Sequence, residues 1–144
     1  FQKERLAGAL MSTAGMEKIV RMTINYTRER QAFGRPLIDN QWIQFRLAEL
    51  LTEIEALRQL NYHCVRLLVA GEDLTKEVSM AKLKAGRLAR EVADTCLQFH
   101  GGMGYVEEYP MARYFRDARL LSIGAGADEI MLGIIAKYEN ISSR

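Results

Sequence analysis

The chain has 144 residues, and hydrophobic residues make up 49% of it against 26% charged residues. This length and composition predict one soluble globular domain with a single core, and they exclude a disordered chain. The net charge of +2 is too small to indicate a nucleic-acid partner, and no apolar run approaches the roughly 20 residues of a membrane span. Two cysteines, Cys64 and Cys96, are too few for a disulfide framework, so we expect buried free thiols.

Apolar residues recur at spacings of three and four almost throughout the chain, which puts them on one face of successive helices. A first helix is predicted from Lys3 to about Arg30, a second around the apolar stripe Leu47 to Leu68, and a last one from about Asp128. The third helix has the most regular stripe, formed by Val78, Ala81, Ala85, Leu88, Val92, Cys96 and Phe99. No segment alternates with a period of two for long enough to predict a strand.

Glycine, proline and capping residues separate these helices. Residues 34–36, Gly-Arg-Pro, interrupt the chain between the first two helices, and Asp73 and Thr75 are candidate N-caps of the third. The glycine-rich residues 101–104 end the third helix. Three helices of about 25 residues or more with short connections favour antiparallel packing. The sequence therefore predicts an all-α, up-down four-helix bundle, with residues 1–144 as one domain.

Several kinds of chemistry are absent from the pattern. A metal site in a bundle needs Glu-x-x-His pairs, but a leucine stands three residues before His63 and before His100, so no metal site is predicted. Residues 102–104 begin like a dinucleotide fingerprint, yet Glu107 stands at its third glycine position and no strand precedes it. We expect His100 to interact with the dipole at the end of the third helix. The spacing of residues alone therefore predicts a helical bundle and does not identify a chemical reaction.

Three segments in a fixed order carry a more specific pattern. The first, from Tyr26 to Phe45, contains an arginine, a Phe-Gly turn and a downstream glutamine. The second joins Gln98–Tyr105 to an Arg-Asp-Ala run at residues 116–118, and the third is Ile123–Ile130, before the last helix. Together they resemble the C-terminal helical-bundle domain of the acyl-CoA dehydrogenases. The resemblance implies an FAD-dependent α,β-desaturation of fatty or branched acyl-CoA thioesters, with the family's N-terminal helical and middle β domains absent from this chain.

The resemblance also implies that FAD lies between subunits of a homo-oligomer, commonly a tetramer. The residues at cofactor-contacting positions are Arg30, Gln41, Gln98, Gly101, Gly102, Ala127 and Glu129. Arg30 matches the contact to the FAD diphosphate, which suits a two-pronged guanidinium. Many relatives have threonine at Ala127, so a hydroxyl contact is missing there. Local explanations also exist for Arg30, as an exposed cation, for Gln41, as polar surface or a cap, and for residues 98–102, as a glycine C-cap.

The position of the catalytic base decides which branch of the family the chain resembles. Many relatives carry a glutamate at the position of Ala125, and alanine accepts no proton. A second group, resembling the isovaleryl- and long-chain acyl-CoA dehydrogenases, carries the base on the first helix, where Glu4 aligns. We therefore predict Glu4 as the base, the alternative being a first-turn glutamate that only stabilises the helix dipole. Arg5, Ala125 and Gly126 match positions that border the acyl-CoA.

The implied partners are an acyl-CoA substrate and an electron-transfer flavoprotein, with neither nucleic acid nor membrane. Two alternatives stay open: an acyl-CoA oxidase-like flavoprotein, which reduces oxygen, and a non-catalytic helical oligomerisation module. We expect a cytoplasmic protein in a bacterium and a mitochondrial matrix protein in a eukaryote. As an isolated piece, the chain is expected to be inactive and to bind FAD weakly. Chain length and branching of the substrate do not follow from the sequence, because the pocket walls lie partly in other domains.

Overall fold

Six α-helices carry the fold in the computed structural model, which describes residues 1–141. Three are long: α1 spans Gln2–Glu29, α2 spans Gln41–Ala70 and α3 spans Thr75–His100. The others are α4 (Gly102–Tyr105), α5 (Pro110–Ala118) and α6 (Asp128–Tyr138), with 3₁₀ segments at Leu37–Asp39 and Arg119–Ser122. None of these helices within residues 1–141 combines the length and apolarity that crossing a membrane requires.

The long helices run in alternating directions, as an up-down bundle does. At one end, Gln2 Nε2 donates to Asp73 Oδ1 over 2.9 Å, which joins the beginnings of α1 and α3. At the other end, the Tyr26 hydroxyl donates to the carbonyl of His100 over 3.2 Å. Tyr138 Oη donates to Asp73 Oδ2 over 3.1 Å, so α6 ends where α3 begins. The predicted all-α, up-down four-helix bundle is confirmed, with α1, α2, α3 and the shorter α6 as its helices.

The apolar stripe of α3 forms the centre of the core, and all seven of its predicted residues are buried. Full burial of one of its Val, Leu or Phe side chains stabilises the fold by about 1.5–3 kcal/mol. Cys64 and Cys96 are buried free thiols, as predicted. On α6 the side chain of Met131 is fully buried, while the neighbouring Ile130 and Leu132 are exposed. The last helix therefore carries apolar surface that this chain leaves uncovered.

The connection between α1 and α2 contains a hairpin that the sequence pattern missed. Strands β1 (Gln31–Ala32) and β2 (Arg35–Pro36) pair antiparallel around a turn at Phe33 and Gly34, whose φ angles are 54° and 80°. Positive φ at both central residues is typical of a type I′ turn, which matches the twist of paired strands. The expectation of no strand was wrong because two residues are too few to show an alternating pattern.

The beginning of α3 also differs from the prediction. Neither Asp73 nor Thr75 is its N-cap; that position is occupied by Leu74, and Thr75 is the first helical residue. Asp73 Oδ1 instead accepts hydrogen bonds from the backbone N–H and the hydroxyl of Thr75, over 3.2 and 2.7 Å. These bonds favour the ionised carboxylate and hold the pKa of Asp73 below its usual value. The capping group therefore acts from one residue further out than predicted.

Candidate functional site

A cavity of about 320 Å³ opens between the beginning of α1, the first half of α3 and the segment that joins α5 to α6. From α1 it is lined by Glu4, Arg5 and Gly8, and from α3 by Lys82 and Ala85. The segment before α6 closes the third side with residues that include Leu121, Gly124 and Ala125. The structure thus brings the predicted base, Glu4, into one cavity with two of the predicted substrate residues, Arg5 and Ala125.

Glu4 lies in the first turn of α1, at the rim of this cavity, and its side chain is 68% exposed. Backbone N–H groups at a helix start favour an ionised carboxylate. A backbone hydrogen bond, the largest influence, holds the pKa of Glu4 below its usual value. The side chain is therefore a carboxylate at neutral pH, so it is able to accept a proton. The dipole explanation and the catalytic one are compatible at this position.

The segment that carries Ala125 is held against α1. Arg5 Nε donates to the carbonyl oxygen of Ala125 over 3.3 Å. Ala125 has a φ of 55° and Gly126 a φ of 105°, so two successive residues adopt the left-handed region. The φ of Gly126 favours glycine; a Cβ there would also meet Met131 Cε at 2.7 Å, a contact that the flexible methionine side chain can relieve. Positions 4 and 125, the two candidate positions for a catalytic base, both line this cavity.

Lys82 is a residue of this cavity that the sequence interpretation missed. Its side chain is only 5% exposed, and Nζ donates to the carbonyl of Leu121 over 2.7 Å and to the carbonyl of Gly126. Burial lowers the pKa of Lys82, and the nearby Asp128 opposes that effect. One signal was available: Lys82 is four residues after Val78 and three before Ala85, so it lies on the apolar stripe of α3.

Five of the predicted cofactor residues gather at the opposite end of the bundle. Arg30 follows the end of α1, Gln41 begins α2, and Gln98, Gly101 and Gly102 lie where α3 ends. These helix ends are joined by aromatic contacts: the Tyr26 ring stacks on His100 at 4.3 Å between centroids, and Trp42 meets Phe99 edge-on at 5.2 Å. All five predicted residues are exposed. They form one surface, which we call the bundle-end surface.

Ala127 and Glu129 do not belong to the bundle-end surface. They flank Asp128 at the start of α6, and Asp128 Oδ2 lies 3.4 Å from Arg90 Nη2 and 3.7 Å from Arg87 Nε. Arg90 precedes Gly101 by 11 residues of α3, which is about 16 Å along a helix axis. As expected from its methyl side chain, the N-cap Ala127 makes no side-chain capping bond. The predicted cofactor residues thus form two groups at different heights of the bundle.

His100 is buried, which the sequence did not predict. Its Nδ1 lies 2.8 Å from the carbonyl oxygen of Cys96, and its ring packs in one cluster with the rings of Tyr26 and Tyr109. Burial lowers the pKa of His100, so the ring is neutral near pH 7. The expected contact with the end of α3 is therefore made through the Cys96 carbonyl, but by a neutral ring. Within residues 1–141, no group of three or more His, Cys, Asp or Glu side chains is arranged to hold a metal ion.

Comparison with known proteins supplies the family. Residues 1–139 match the family model described as "Acyl-CoA dehydrogenase, C-terminal domain". The chain is 44% identical over 115 residues to the short/branched chain specific acyl-CoA dehydrogenase of Bos taurus, covering 80% of this chain and 27% of that protein. It is 39% identical over 135 residues to the long-chain specific acyl-CoA dehydrogenase of Sus scrofa, covering 94% of this chain and 31% of that protein.

A solved structure agrees with these sequence matches. The acyl-CoA dehydrogenase from Geobacillus kaustophilus superposes with a TM-score of 0.94 at 40% identity, over 96% of this chain and 37% of that one. The chain therefore spans about a third of the length of the relatives that it matches. On the family match and these relatives, the chain belongs to the acyl-CoA dehydrogenase family, as its C-terminal helical domain.

Proposed function

We propose that this chain contributes the catalytic base and part of the cofactor site to an enzyme that desaturates acyl-CoA thioesters between the α and β carbons. The observation that carries the proposal is the shared cavity of Glu4 and Ala125. A carboxylate at position 4 reaches the space that a glutamate at position 125 would reach, so the missing side chain at Ala125 is compensated. The chain covers about a third of its relatives, and the remaining domains complete the enzyme.

In this mechanism Glu4 accepts the proton from the α carbon of the thioester. A carboxylate with a lowered pKa is a weak base for a carbon acid, so its pKa must rise when substrate binds. The rim position allows that change, because an acyl chain in the cavity displaces water from the largely exposed Glu4 carboxylate. The chemistry that FAD would supply here is acceptance of the hydride from the β carbon, so that loss of the proton and the hydride would form the double bond. Arg5, beside Glu4, favours the charged carboxylate until substrate arrives.

The bundle-end surface has the donors that a dinucleotide diphosphate and its flavin need. Arg30 is exposed and, within residues 1–141, takes part in no ion pair, so its guanidinium is free to bind phosphate oxygens. Gln41 and Gln98 offer carboxamides, and Gly101, with a φ of 58°, has open space at its Cβ position. Because Gly101 has no side chain, its backbone allows the close approach of a ligand. We propose that this surface and the start of α6, with Ala127 and Glu129, contact FAD molecules of different subunits.

The two separate groups of cofactor residues favour a homo-oligomer, a tetramer in our proposal. Exposed apolar residues of α6, Ile130 and Leu132, provide surface for such contacts.

The electron acceptor is an electron-transfer flavoprotein, and the setting is the cytoplasm in a bacterium or the mitochondrial matrix in a eukaryote. An oxidase-like enzyme differs from this proposal in one property, since its reduced flavin is reoxidised by oxygen. A non-catalytic module differs in another, since it purifies without flavin absorbance.

The test replaces Glu4→Gln in the protein that carries this domain together with its flavin-binding domains. Removing a general base lowers turnover by about 10²–10⁴-fold, so we expect kcat to fall at least about 100-fold while flavin absorbance is retained. The matched control is Glu17→Gln on the same helix, whose carboxylate pairs with Arg58 over 2.5 Å on the side of α2. It should leave kcat nearly unchanged. Turnover of Glu4→Gln within a few-fold of the starting protein would remove Glu4 as the base.

A further inference from the structure

The buried Lys82 holds the segment before α6 at both of its ends. Its ammonium binds the carbonyl oxygens of Leu121, over 2.7 Å, and of Gly126. Leu121 is the third residue of the last 3₁₀ turn, and Gly126 is the last glycine before α6. A single side chain from α3 therefore spans the base of the segment Leu121–Gly126, which we call the cavity loop.

The cavity loop needs such support because its backbone is irregular. Ala125 and Gly126 both have positive φ, at 55° and 105°. The hydrogen bonds from Ile123 N–H and Gly124 N–H to the carbonyl of Leu120, over 2.9 and 2.8 Å, close only its first turn. Beyond that turn, the loop's polar contacts to other elements come from two cations: Lys82 of α3 donates to the carbonyl of Gly126, and Arg5 of α1 donates to the carbonyl of Ala125. Each bond of Lys82 satisfies a backbone carbonyl of this irregular segment, and a buried carbonyl left unpaired is unfavourable.

Lys82 is also placed where a purely structural lysine is uncommon. Lysine is almost never fully buried unless it is paired. Among residues 1–141, however, no carboxylate lies within 4 Å of Lys82 Nζ, and the ammonium donates its hydrogen bonds to backbone carbonyls instead. The charged side chains that face it are Asp128, which favours its ammonium, and Arg5, which opposes it. It lines the same cavity as Glu4, on the opposite helix. A charge retained at this position links α3 to the part of the loop that faces Glu4.

We propose that Lys82 is a positioning residue for the thioester: it fixes the cavity loop so that Ala125 and Gly126 border the substrate at a set distance from Glu4. The proposal rests on the proposed function of Glu4 as the base. Proton transfer requires reacting atoms at about 3–3.5 Å, and a misplacement of about 1 Å costs on the order of 100-fold in rate. Lys82 touches neither the α carbon nor the proton, so it acts through the loop.

The test compares Lys82→Met, which keeps the length of the side chain and removes its donors, with Lys84→Met as the matched control. Lys84 lies on the same helix and makes a surface ion pair with Glu53. In the complete flavoprotein we expect Lys82→Met to lower kcat by about 100-fold and to change KM by less than about tenfold. Amide hydrogen exchange in residues 122–126 should be faster than in the starting protein. Lys82→Arg keeps the charge and the donors, so it should recover most of the lost kcat.

The outcomes separate this proposal from the proposed function. A starting protein without dehydrogenase activity contradicts the function of Glu4, whatever Lys82 does. An active starting protein with a folded Lys82→Met of unchanged kcat, or with a lowered melting temperature only, overturns the positioning role. Should Lys82→Met not accumulate in folded form, Lys82→Gln keeps one shorter amide donor and is judged by the same kcat and exchange measurements. Unchanged exchange in residues 122–126 would likewise contradict the proposal.

Discussion

Gly86 lies where α3 packs tightly against the cavity loop, so Gly86→Ala tests that contact. A Cβ at position 86 would lie 2.9 Å from Ser122 Oγ, 3.1 Å from the carbonyl oxygen of Leu121 and 3.3 Å from its carbon. Alanine within a helix stabilises it by about 1 kcal/mol relative to glycine. Overpacking a buried contact costs about 1–3 kcal/mol, and the Leu121 carbonyl cannot retreat without straining its bond to Lys82. We expect a net loss of about 1 kcal/mol in the free energy of unfolding.

The matched control is Gly15→Ala in the middle of α1. A Cβ there meets only Tyr114 Cε2, at 3.9 Å, which is an ordinary contact. This variant should gain about 1 kcal/mol, so the two variants should differ by about 2 kcal/mol. Urea unfolding followed by far-ultraviolet circular dichroism measures the difference; with a slope of about 2 kcal/mol per molar urea, the midpoints separate by about 1 M. Gly86→Ala at least as stable as Gly15→Ala would refute the close approach.

Two further predictions concern buried titratable groups. The lowered pKa of His100 means that the folded chain binds fewer protons than the unfolded one, so stability is lost as pH falls below the ordinary histidine value of 6.5. His100→Phe should flatten this acid-side decline in urea unfolding, and an unchanged decline would contradict the assignment. Burial raises the pKa of Cys96 from its ordinary value of 9.0 to about 11. The contribution of this thiol to folding stability is therefore complete below pH 9 and is lost as pH rises toward 11. Cys64 has the same raised pKa, and at pH 8 iodoacetamide should label both thiols only in denaturant; rapid labelling of the folded chain would contradict their burial.

The long helices were predictable because their apolar residues repeat at a helical period over many turns. The α3 stripe, from Val78 to Phe99, is buried in full, as its regularity predicted. The hairpin at Gln31–Pro36 was not predictable, because each strand has two residues and the positive φ of Phe33 has no sequence signal. The true N-cap of α3 was missed for a similar reason: Asp73 reaches Thr75 from one residue further out than the usual cap.

The site was predictable only where the resemblance supplied it. Nothing in the local pattern brings Glu4 near Ala125, which lies 121 residues later, and only the fold joins them in one cavity. Lys82 was missed because lysines are ordinarily exposed, although its register with Val78 and Ala85 placed it on the buried face. The charge state of His100 also depended on tertiary contacts, since the Tyr26 ring that stacks on it and the tilted Tyr109 ring come from other parts of the chain.

Positions 4 and 125 line one cavity, so a carboxylate at either position should reach the same substrate. Moving the base from one position to the other tests this directly. Ala125 already has a Cβ at its φ of 55° and is exposed at the rim, so Ala125→Glu adds a carboxylate with little new strain. The measurement is the turnover of Glu4→Gln/Ala125→Glu relative to Glu4→Gln alone, with Glu4→Gln/Ala48→Glu, on the exposed side of α2, as the control. We predict that the relocated glutamate raises turnover at least about tenfold over Glu4→Gln, as expected of a general base restored in imperfect geometry. A relocated glutamate that leaves the folded, flavin-bound protein as inactive as Glu4→Gln would contradict the shared site.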